Sequence, residues 1–510
     1  MDSTAKVYDI MLSKRLAMWF SPDREQAGSQ KKRGCIEHLL TLRLLIDLAR
    51  KKRQKLYIAY IDFSKAYDRV PRDLLVRKLI EMGCGSLMVR AIAAIYSCTR
   101  MILRTAILTA TIGVRQGSPT SCFLFTLAVN DLLRNLKLKC PPDGWLGWLH
   151  ALMLMDDTVI VATSRHRVTE KLKVLNDFCH SSGMIINSSK TKFMVINGNE
   201  EDRQPLKEGA LIVNNCDAYT YLGLIFTQDG KMTTAVKAQC NAKMPHVVKF
   251  EAFIKKNSDM PFEVKKKVFS AALASAILYG CETWLSPVSI ESAAPMYHSC
   301  VRSLLGVRKT TASDLCLVEA GLPSLPERTK TAQHKVIWNL IHEREHMVDD
   351  PFAHVWKMAS EANTPCARYI HSLEIFDPQQ EREKLISRIR NSARTKFITY
   401  QTLMNPRLEQ HGMYLTAEVR EYQRLTVTKF RLSSHNLAVE TGRWSRKPRE
   451  ARLCPLCRVV QDECHALAEC QMNNDARALY NVNFSLPDFF SIEHVPNCVK
   501  ICHHLMKDFI

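Results

Sequence analysis

The sequence predicts an α+β protein in which a small mixed β region follows helices and precedes a long helical half. Two apolar, β-prone runs with carboxylates at one end, around residues 56–63 and 151–162, mark that β region. From about residue 232 to residue 440, nearly every segment carries the apolar period of a helix, with breaks at prolines. This order of elements is that of an α+β chain.

The composition is that of a folded protein with a polyanionic partner. The chain has 510 residues, 46% of them hydrophobic and 24% charged, so several domains are expected. Lys and Arg number 71 against 51 Asp and Glu, a formal net charge of +20. This excess makes nucleic acid the first candidate partner and an anionic membrane the second.

Nothing in the sequence predicts secretion or a membrane span. The first six residues lack the apolar core of a signal peptide, and the most apolar stretch, residues 268–281, is too short to cross a bilayer. We therefore predict an intracellular protein, nuclear and/or cytoplasmic and not secreted, with no membrane partner. Single cysteines such as Cys122 and Cys281 are predicted to be reduced core thiols.

Local patterns place the elements in order. Helices are predicted at residues 5–20, 35–50, 87–96, 120–136 and 168–182, and a further helix is predicted to open at 71–73 with an apolar face that extends to residue 80. Strands are predicted at residues 56–63 and 101–114, in a hairpin around Asp156 and Asp157, at 183–192, and in a second hairpin made by 211–213 and 219–226. Residues 198–209 are polar and are predicted to be a loop.

Asp62, Asp156 and Asp157 are the candidate metal ligands. Most Asp-Asp pairs are solvated turns, but this pair lies between apolar runs typical of buried strands. A carboxylate there is costly unless its charge is cancelled. Mg²⁺ prefers such hard oxygen ligands and bridges to substrate phosphates. We therefore predict a two-metal site for nucleotidyl transfer.

Two further features lie near this site in the sequence. Tyr67 follows Asp62 by five residues and is either a core aromatic or a ring beside the sugar of an incoming nucleotide. The turn before the helix at 120–136 is either a loop with a serine cap or a close approach of backbone to nucleotide or template. The residues of this turn that we predict to contact substrate are Arg115, Gln116 and Gly117.

Cysteine and histidine spacing near the C-terminus predicts a zinc site. The pattern is C-x₂-C-x₇-H-x₄-C, which fits one structural Zn²⁺ with tetrahedral Cys₃His ligands. The predicted ligands are Cys454, Cys457, His465 and Cys470. Cys464 lies next to His465 and is an alternative ligand.

In this order, the pieces resemble the reverse transcriptase of LINE-type (non-LTR) retrotransposons. Motifs A to E of that family are similar to residues 60–68, 114–121, 154–157, 183–191 and 219–223. Residues 26–29 resemble part of the fingers, and residues 278–284 are similar to a segment that follows the thumb. The C-terminal Cys-His pattern also fits the layout of these elements.

The resemblance implies an RNA-directed DNA polymerase with a right-hand fold. Asp62, Asp156 and Asp157 would be the catalytic carboxylates that hold two Mg²⁺ ions. Tyr67 would be the gate against ribonucleotides, and Gln116 would track the templating pair. Lys190 would donate a proton to pyrophosphate, although a solvated lysine is a nearly equal alternative. The implied partners are an RNA template, a DNA primer or target DNA, and dNTPs.

The resemblance also divides the chain into parts. We expect partial fingers at 1–55, the palm with the remaining fingers at 56–230, and a helical thumb and connection at 231–345. A helical C-terminal region at 346–445, a CCHC zinc knuckle at 446–480 and a C-terminal tail at 481–510 would follow.

Three departures from the family pattern suggest an N-terminally truncated copy. Leu154 replaces the usual motif C tyrosine, and no segment looks like an endonuclease. The first finger strands are missing, so their triphosphate-binding groups are either absent or supplied by Lys31, Lys32 and Arg33. The alternative is therefore a catalytically inactive, polymerase-like nucleic-acid-binding protein; an intron-encoded maturase is a third, less favoured reading.

Overall fold

Two units share the chain, and each is discontinuous in sequence. The computed structural model describes residues 3–97, 100–103, 106–416, 418–480 and 495–509. The first unit comprises residues 1–235, 282–286 and 335–374, and the second comprises 236–281, 287–334 and 375–510. The predicted tail therefore falls partly outside the described residues.

The first unit contains all the strands of the described chain and the helices around them. Its helices are α1 (Ser3–Trp19), α2 (Cys35–Lys52), α3 (Ala66–Arg69), α4 (Arg72–Glu81), α5 (Ser86–Ser97), α6 (Pro119–Lys139) and α7 (Arg165–Ser182). Its strands are β1 (Leu56–Ile61), β2 (Arg100–Leu103), β3 (Ala106–Thr109), β4 (Ala151–Leu154), β5 (Asp157–Ala162), β6 (Lys192–Ile196), β7 (Leu206–Glu208), β8 (Leu211–Asn215), β9 (Ala218–Tyr221) and β10 (Leu224–Thr227).

The helices of the second unit continue the numbering. They begin with α8 (Met232–Lys256), α9 (Phe262–Val268), α10 (Ser275–Ile277), α11 (Pro287–Ser292), α12 (Ala294–Leu305), α13 (Ser313–Ala320) and α14 (Leu325–Arg344), whose last turns belong to the first unit. The first unit also holds α15 (Pro351–Glu361) and α16 (Pro365–Ser372). The second unit resumes with α17 (Pro378–Arg390), α18 (Thr395–Thr399), α19 (Glu421–Arg431), α20 (Ala438–Trp444), α21 (Asn474–Tyr480) and α22 (Val495–Met506).

The main sheet has six strands in the order β4-β5-β1-β6-β8-β7, which confirms the mixed β region. Its pairs are antiparallel except β6–β8, and β1 lies between β5 and β6. Every residue of β1 is buried, which explains why its sequence is a continuous apolar run rather than an alternating one. Helix α7 packs on β5 and begins after Ser164, whose hydroxyl accepts a hydrogen bond from the Arg167 N–H at 3.2 Å.

Three predictions about strands are wrong. Residues 183–191 form turns and one isolated bridge rather than strands, and β6 begins only at Lys192. Residues 206–208 are a strand, not part of a loop, and they pair with β8. Residues 211–213 do not pair with 219–226, because β8 joins the main sheet beside β6. The run at 219–226 instead folds back on itself as β9 and β10, since Leu222 and Gly223 adopt φ angles of 46° and 80° and make a tight turn.

Helices α15 and α16 belong to the first unit, although they follow α14 in the sequence. Both helices pack on α2. A carboxylate oxygen of Asp47 accepts a hydrogen bond from the Cys366 N–H at 2.8 Å, which ties the start of α16 to α2. Packing between distant segments, which local periodicity does not report, sets this division.

A buried ion-pair network organises the second unit. The Arg431 guanidinium lies 2.7 Å from the Glu319 carboxylate, and both side chains are fully buried. Tyr400 and Tyr414 donate hydrogen bonds to the same carboxylate at 2.7 and 3.1 Å. These bonds satisfy a carboxylate that would otherwise be costly to bury.

Helix length and thiol placement bear on two earlier expectations. Among the residues that the structure describes, no helix is both long and apolar enough to cross a membrane. The described cysteines form no disulfides, and Cys281 is buried as predicted. Cys122 is exposed on α6, so its prediction as a core thiol is wrong.

Candidate active site and metal centre

Three aspartates meet at one end of the main sheet. Ile61 pairs with Thr158 in the β1–β5 register, so Asp62, which follows β1, lies beside Asp157, which begins β5. Asp156 occupies the turn between β4 and β5. Two antiparallel neighbours thus bring together carboxylates that are about a hundred residues apart in the sequence.

The charges of these carboxylates interact. Burial, followed by the negative charges of Asp156 and Asp62, raises the pKa of Asp157 to about 6. Burial and the Asp62 charge also raise the pKa of Asp156. Within the described residues, none of the three carboxylates forms an ion pair with a lysine or arginine, so the cluster favours binding of a cation. Oxygen ligands with surplus negative charge fit Mg²⁺.

Gln26 holds the turn that carries Asp156. Its side-chain oxygen accepts a hydrogen bond from the Met155 N–H at 2.9 Å, and its side-chain NH₂ donates to the Met155 carbonyl at 3.3 Å. Met155 has a φ of 58°, which is unfavourable for a residue with a side chain. A Cβ at Gly28 would lie 2.8 Å from the Met155 backbone nitrogen, which cannot move without shifting the turn, so glycine is favoured at this position.

The backbone of Asp62 is held from the other side. Its N–H donates to the Thr191 hydroxyl at 3.1 Å, and its carbonyl accepts from the Asn187 N–H at 2.8 Å. Lys190 lies in the same turn with an exposed side chain. The structure therefore places Lys190 on the turn that contacts the Asp62 backbone.

Tyr67 lies between the core and the carboxylates. Its half-buried ring stacks on Phe125 with centroids 4.3 Å apart. Burial, the Cys122 thiol and the Asp156 charge raise the pKa of Tyr67. The ring of Tyr67 therefore packs on the core and lies near the acidic cluster, and its place beside a nucleotide sugar stays a prediction.

The turn at 115–119 is anchored differently from the predicted serine cap. Ser118 does not cap α6; its hydroxyl donates to the carboxylate of Asp9, which is buried in α1. The Thr120 hydroxyl donates to the same carboxylate at 2.7 Å. Arg115 is partly buried and its carbonyl accepts a hydrogen bond from the Ser121 hydroxyl at 2.6 Å.

Gln116 and Gly117 are exposed in this turn. The Gln116 side-chain NH₂ donates to Asp68 at 3.2 Å. Gly117 has a φ of 78°, and no atom lies within 4 Å of where its Cβ would be. The glycine is therefore required by backbone conformation, and the space above it is open.

The predicted substitute triphosphate ligands are occupied elsewhere. Arg33 is buried and pairs with Glu37 and, at 3.3 Å, with Asp350. The Lys32 ammonium lies 2.8 Å from Glu343. These ion pairs dock the 31–33 segment against α14 and α15, so Arg33 is not available to bind a triphosphate; the Lys31 side chain is exposed.

Tyr219 was not among the predicted site residues. Its ring stacks on Tyr60 with centroids 4.2 Å apart. Burial, followed by the charges of Asp62 and Asp157, raises the pKa of Tyr219 to about 12. Its position in the motif E segment was a signal of this placement, whereas nothing local in the sequence indicated the role of Gln26.

The predicted zinc ligands come together in the second unit. One ligand atom from each of Cys454, Cys457, His465 and Cys470 lies within 4.8 Å of the other three. The Cys470 sulfur is 3.8 Å from that of Cys454 and 4.0 Å from that of Cys457. Neighbouring Cys464 is outside this cluster.

The chemistry of the cluster fits a tetrahedral metal ion. Burial alone would raise the pKa of Cys454, but hydrogen bonds from the backbone of Cys457 and Leu456 contribute to lowering it to about 6, which favours the thiolate. Both ring nitrogens of His465 are buried; Nδ1 lies 3.7 Å from the Glu469 carboxylate, and the ring also contributes to lowering the pKa of Cys454. A buried imidazole and three convergent sulfurs are the donor set of a Cys₃His zinc site.

Comparison with known proteins identifies the class of the first unit. Residues 1–226 match the family model described as "Reverse transcriptase (RNA-dependent DNA polymerase)". These residues form a reverse transcriptase domain, and the fold is that of a reverse-transcriptase-like polymerase with mixed helices and sheets.

Curated relatives narrow the class. The chain is 27% identical over 237 residues to the Pol polyprotein of the type-1 retrotransposable element R2 of Bradysia coprophila, covering 44% of this chain and 27% of the relative. It is 24% identical over 253 residues to the Pol polyprotein of element R2DM of Drosophila melanogaster, covering 47% and 24%. The chain thus spans about a quarter of the length of these relatives. The match of residues 1–226 and these relatives support the predicted resemblance to the reverse transcriptase of a LINE-type, non-LTR element.

Solved structures show a more distant likeness. A telomerase from Candida albicans, in complex with a fragment of telomeric RNA, is 12% identical with a TM-score of 0.36, covering 76% of this chain and 57% of that one. An apo telomerase from Candida tropicalis is 12% identical with a TM-score of 0.35, covering 77% and 60%.

Proposed function

We propose that the chain is an RNA-directed DNA polymerase that adds dNTPs to a primer 3′-hydroxyl, copying an RNA template onto a DNA primer or target DNA. The observation that carries this proposal is the meeting of Asp62, Asp156 and Asp157 at one sheet end inside a reverse transcriptase domain. An inactive binding protein is not favoured, because nothing in the described site has lost a carboxylate or its backbone support.

The three carboxylates would hold two Mg²⁺ ions. Bound there, the ions would activate the primer hydroxyl and neutralise charge on the leaving pyrophosphate. The chain's own residues would orient the substrates. The Tyr67 ring would exclude a ribose 2′-hydroxyl, and the turn of Arg115, Gln116 and Gly117 would contact the nucleotide and the templating pair. Lys190 would give a proton to pyrophosphate.

Further assignments belong to the same proposal. We assign residues 1–55 to partial fingers, 56–230 to the palm and 231–345 to the thumb and connection. One structural Zn²⁺ would be held by the Cys-His cluster. Its role would be to fix the segment 454–470, in which the described residues otherwise have little regular secondary structure. An intracellular location, nuclear and/or cytoplasmic, stays a prediction.

Primer extension tests the proposal. Wild-type protein, given an RNA template, a DNA primer, Mg²⁺ and four dNTPs, should extend the primer. The Asp156→Asn, Asp157→Asn double variant should not, because both substitutions remove metal-binding charge. Its RNA affinity should remain within about twofold of wild type, since the change is confined to the metal cluster.

Asp73→Asn is the matched control. Asp73 is an exposed aspartate of α4 whose ion pair is with Arg77 in the same helix. This variant should extend the primer as wild type does. Extension that survives the double substitution, or that requires no divalent metal, would contradict the assignment of the three carboxylates.

Salt dependence tests the nucleic-acid partner. Phosphate contacts release condensed counterions, so the logarithm of the RNA association constant should fall linearly with the logarithm of the salt concentration. A flat response between 50 and 200 mM salt, about the range over which such contacts lose most affinity, would contradict backbone binding.

A further inference from the structure

A basic pocket lies in the second unit, whereas the three aspartates lie in the first unit. Its volume is about 500 Å³, and Ala312 and Phe397 are among its lining residues. Five cationic side chains also line it: Arg394, Lys396, Arg443, Arg449 and Arg452. The two segments that supply them, 394–396 and 443–452, are brought together only by the fold.

Carboxylates neutralise part of this charge. Glu440 pairs with Lys396 and, at 3.0 Å, with Arg443. Asp462 pairs with Arg449 at 2.7 Å. Two carboxylates therefore face five cations, and the pocket retains a surplus of positive charge that an anion would compensate.

Arg452 is held in place by backbone rather than by a carboxylate. Its guanidinium donates to the Lys447 carbonyl at 2.9 and 2.6 Å and to the Val439 carbonyl at 2.9 Å. The side chain crosses α20 at Gly442, where an added Cβ would lie 2.5 Å from the Arg452 Cγ. The guanidinium is thus fixed in position with its full charge, which reduces the ordering cost of binding an anion.

Two neighbouring features suit a nucleotide chain. Ala312, the residue before α13, lines the pocket, so the N-terminal end of that helix lies at the pocket. Alanine has no side chain that could cap the helix, so no side chain of this residue occupies its first N–H groups. Trp444, next to Arg443, is 59% exposed, and the Arg308 guanidinium lies 4.6 Å from its ring centroid. An exposed indole is a surface on which a base stacks.

The pocket is also tied to the Cys-His cluster. Asp462, which pairs with Arg449, accepts a hydrogen bond from the backbone N–H of His465 at 3.0 Å. Arg452 precedes the cluster residue Cys454 by two positions. Folding of the cluster therefore sets the position of one wall of the pocket.

We propose that this pocket binds a phosphate group of single-stranded nucleic acid, as a second anchoring point distinct from the polymerase site. The inference deepens the proposed function, since it names where the second unit contacts the nucleic-acid partner. Free inorganic phosphate has the same chemistry as a nucleic-acid phosphate, so the test must distinguish binding of free phosphate from binding of nucleic acid.

Anisotropy of a labelled 20-nucleotide single-stranded RNA, titrated with full-length protein at several salt concentrations, tests the pocket. Arg394→Gln is the first variant, because the Arg394 side chain is exposed and we expect its replacement to leave the fold intact. We expect about a tenfold loss of affinity and a salt slope lower by about 0.7, the value for one phosphate contact to a single strand. Arg452→Gln should act in the same way.

Arg446→Gln is the matched control, since Arg446 is exposed on the same segment but does not line the pocket. It should change neither affinity nor slope. Equal effects of Arg446→Gln and Arg394→Gln would overturn the proposal, because they would report general charge rather than a site. An unchanged affinity and slope in Arg394→Gln would overturn it as well.

Inorganic phosphate separates the two sources. If phosphate raises the melting temperature of wild type but not of Arg394→Gln, while RNA affinity is equal in both, the pocket binds free phosphate and the nucleic-acid assignment fails. Primer extension keeps the proposals separate. If RNA binding depends on Arg394 but the wild type does not extend a primer, the pocket proposal holds and the polymerase proposal fails. If the wild type extends a primer but RNA binding does not depend on Arg394, the polymerase proposal holds and the pocket proposal fails.

Discussion

The side-chain amide of Gln26 makes two hydrogen bonds to the backbone of Met155, one through each of its heteroatoms. Gln26 also forms a parallel bridge with Met153, so it extends the edge of β4. Met155 adopts a strained positive φ immediately before Asp156. A residue from a loop more than a hundred positions earlier thus supports the turn that carries Asp156, a candidate catalytic carboxylate.

Gln26→Met should lower the turnover number of primer extension by about tenfold. The substitution leaves the backbone N–H and carbonyl of Met155 without partners, which costs about 1–3 kcal/mol. Displacement of Asp156 follows, and catalysis is sensitive to such shifts. RNA affinity should be unchanged. Gln204→Met, at an exposed loop position, should keep wild-type turnover. Equal turnover in both variants would show that Gln26 does not position the turn.

Tyr67→Ala should reduce discrimination between dNTPs and rNTPs by about 10- to 100-fold, measured as the ratio of kcat/KM values. The ring would no longer occupy the space beside the sugar. Tyr67→Phe keeps the ring and its stacking on Phe125, so its discrimination should match wild type. If Tyr67→Ala lowers the melting temperature but leaves the ratio unchanged, the ring is a core aromatic only.

Purified protein should contain about one Zn²⁺ per chain, measured by elemental analysis. Cys454→Ser should lose it, because the remaining ligands cannot complete a tetrahedral set. Cys464→Ser should retain it, since Cys464 lies outside the cluster although it is adjacent to His465. Zinc loss in Cys464→Ser, or full zinc content in Cys454→Ser, would show that the proposed ligand assignment is wrong.

Glu319→Gln should destabilise the second unit by about 3–5 kcal/mol at pH 7, because it leaves the Arg431 charge buried without its partner. Burial alone would raise the pKa of Glu319, but Arg431 and a hydrogen bond from Tyr400 hold the pKa below its usual 4.5. A depressed pKa contributes stability that is complete above pH 4.5 and is lost as the pH falls through the folded-state value.

The pH dependence of the free energy of unfolding tests whether the Glu319 carboxylate stabilises the fold when it is ionised. The difference in stability between wild type and Glu319→Gln should be full at neutral pH and should narrow as the pH falls below about 4.5. Glu418→Gln, at an exposed position, should stay within about 0.5 kcal/mol of wild type throughout. If the free energy of unfolding of the wild type exceeded that of Glu319→Gln by more at acid pH than at neutral pH, the ion pair would be contradicted.

Local patterns predicted much of the first unit. Helices α1, α2 and α6, the central strand β1 and the hairpin around Asp156 were visible because each depends on short-range periodicity and flanking turns. The pairing of β8 was missed, because its partner β6 lies on a different segment and no residue between them reports the parallel register. Turn residues at Leu222 and Gly223 were the overlooked local signal.

The sequence alone determined the chemistry of both candidate sites. The three aspartates and the Cys₃His set were recognisable because their residue types and spacing are properties of the chain itself. Only the tertiary structure decided what supports and surrounds them: Gln26 beside Met155, Tyr219 beside the carboxylates, Arg33 buried against Asp350, and the basic pocket in the second unit. These relationships join residues far apart in the chain, and such contacts depend on packing rather than on local spacing.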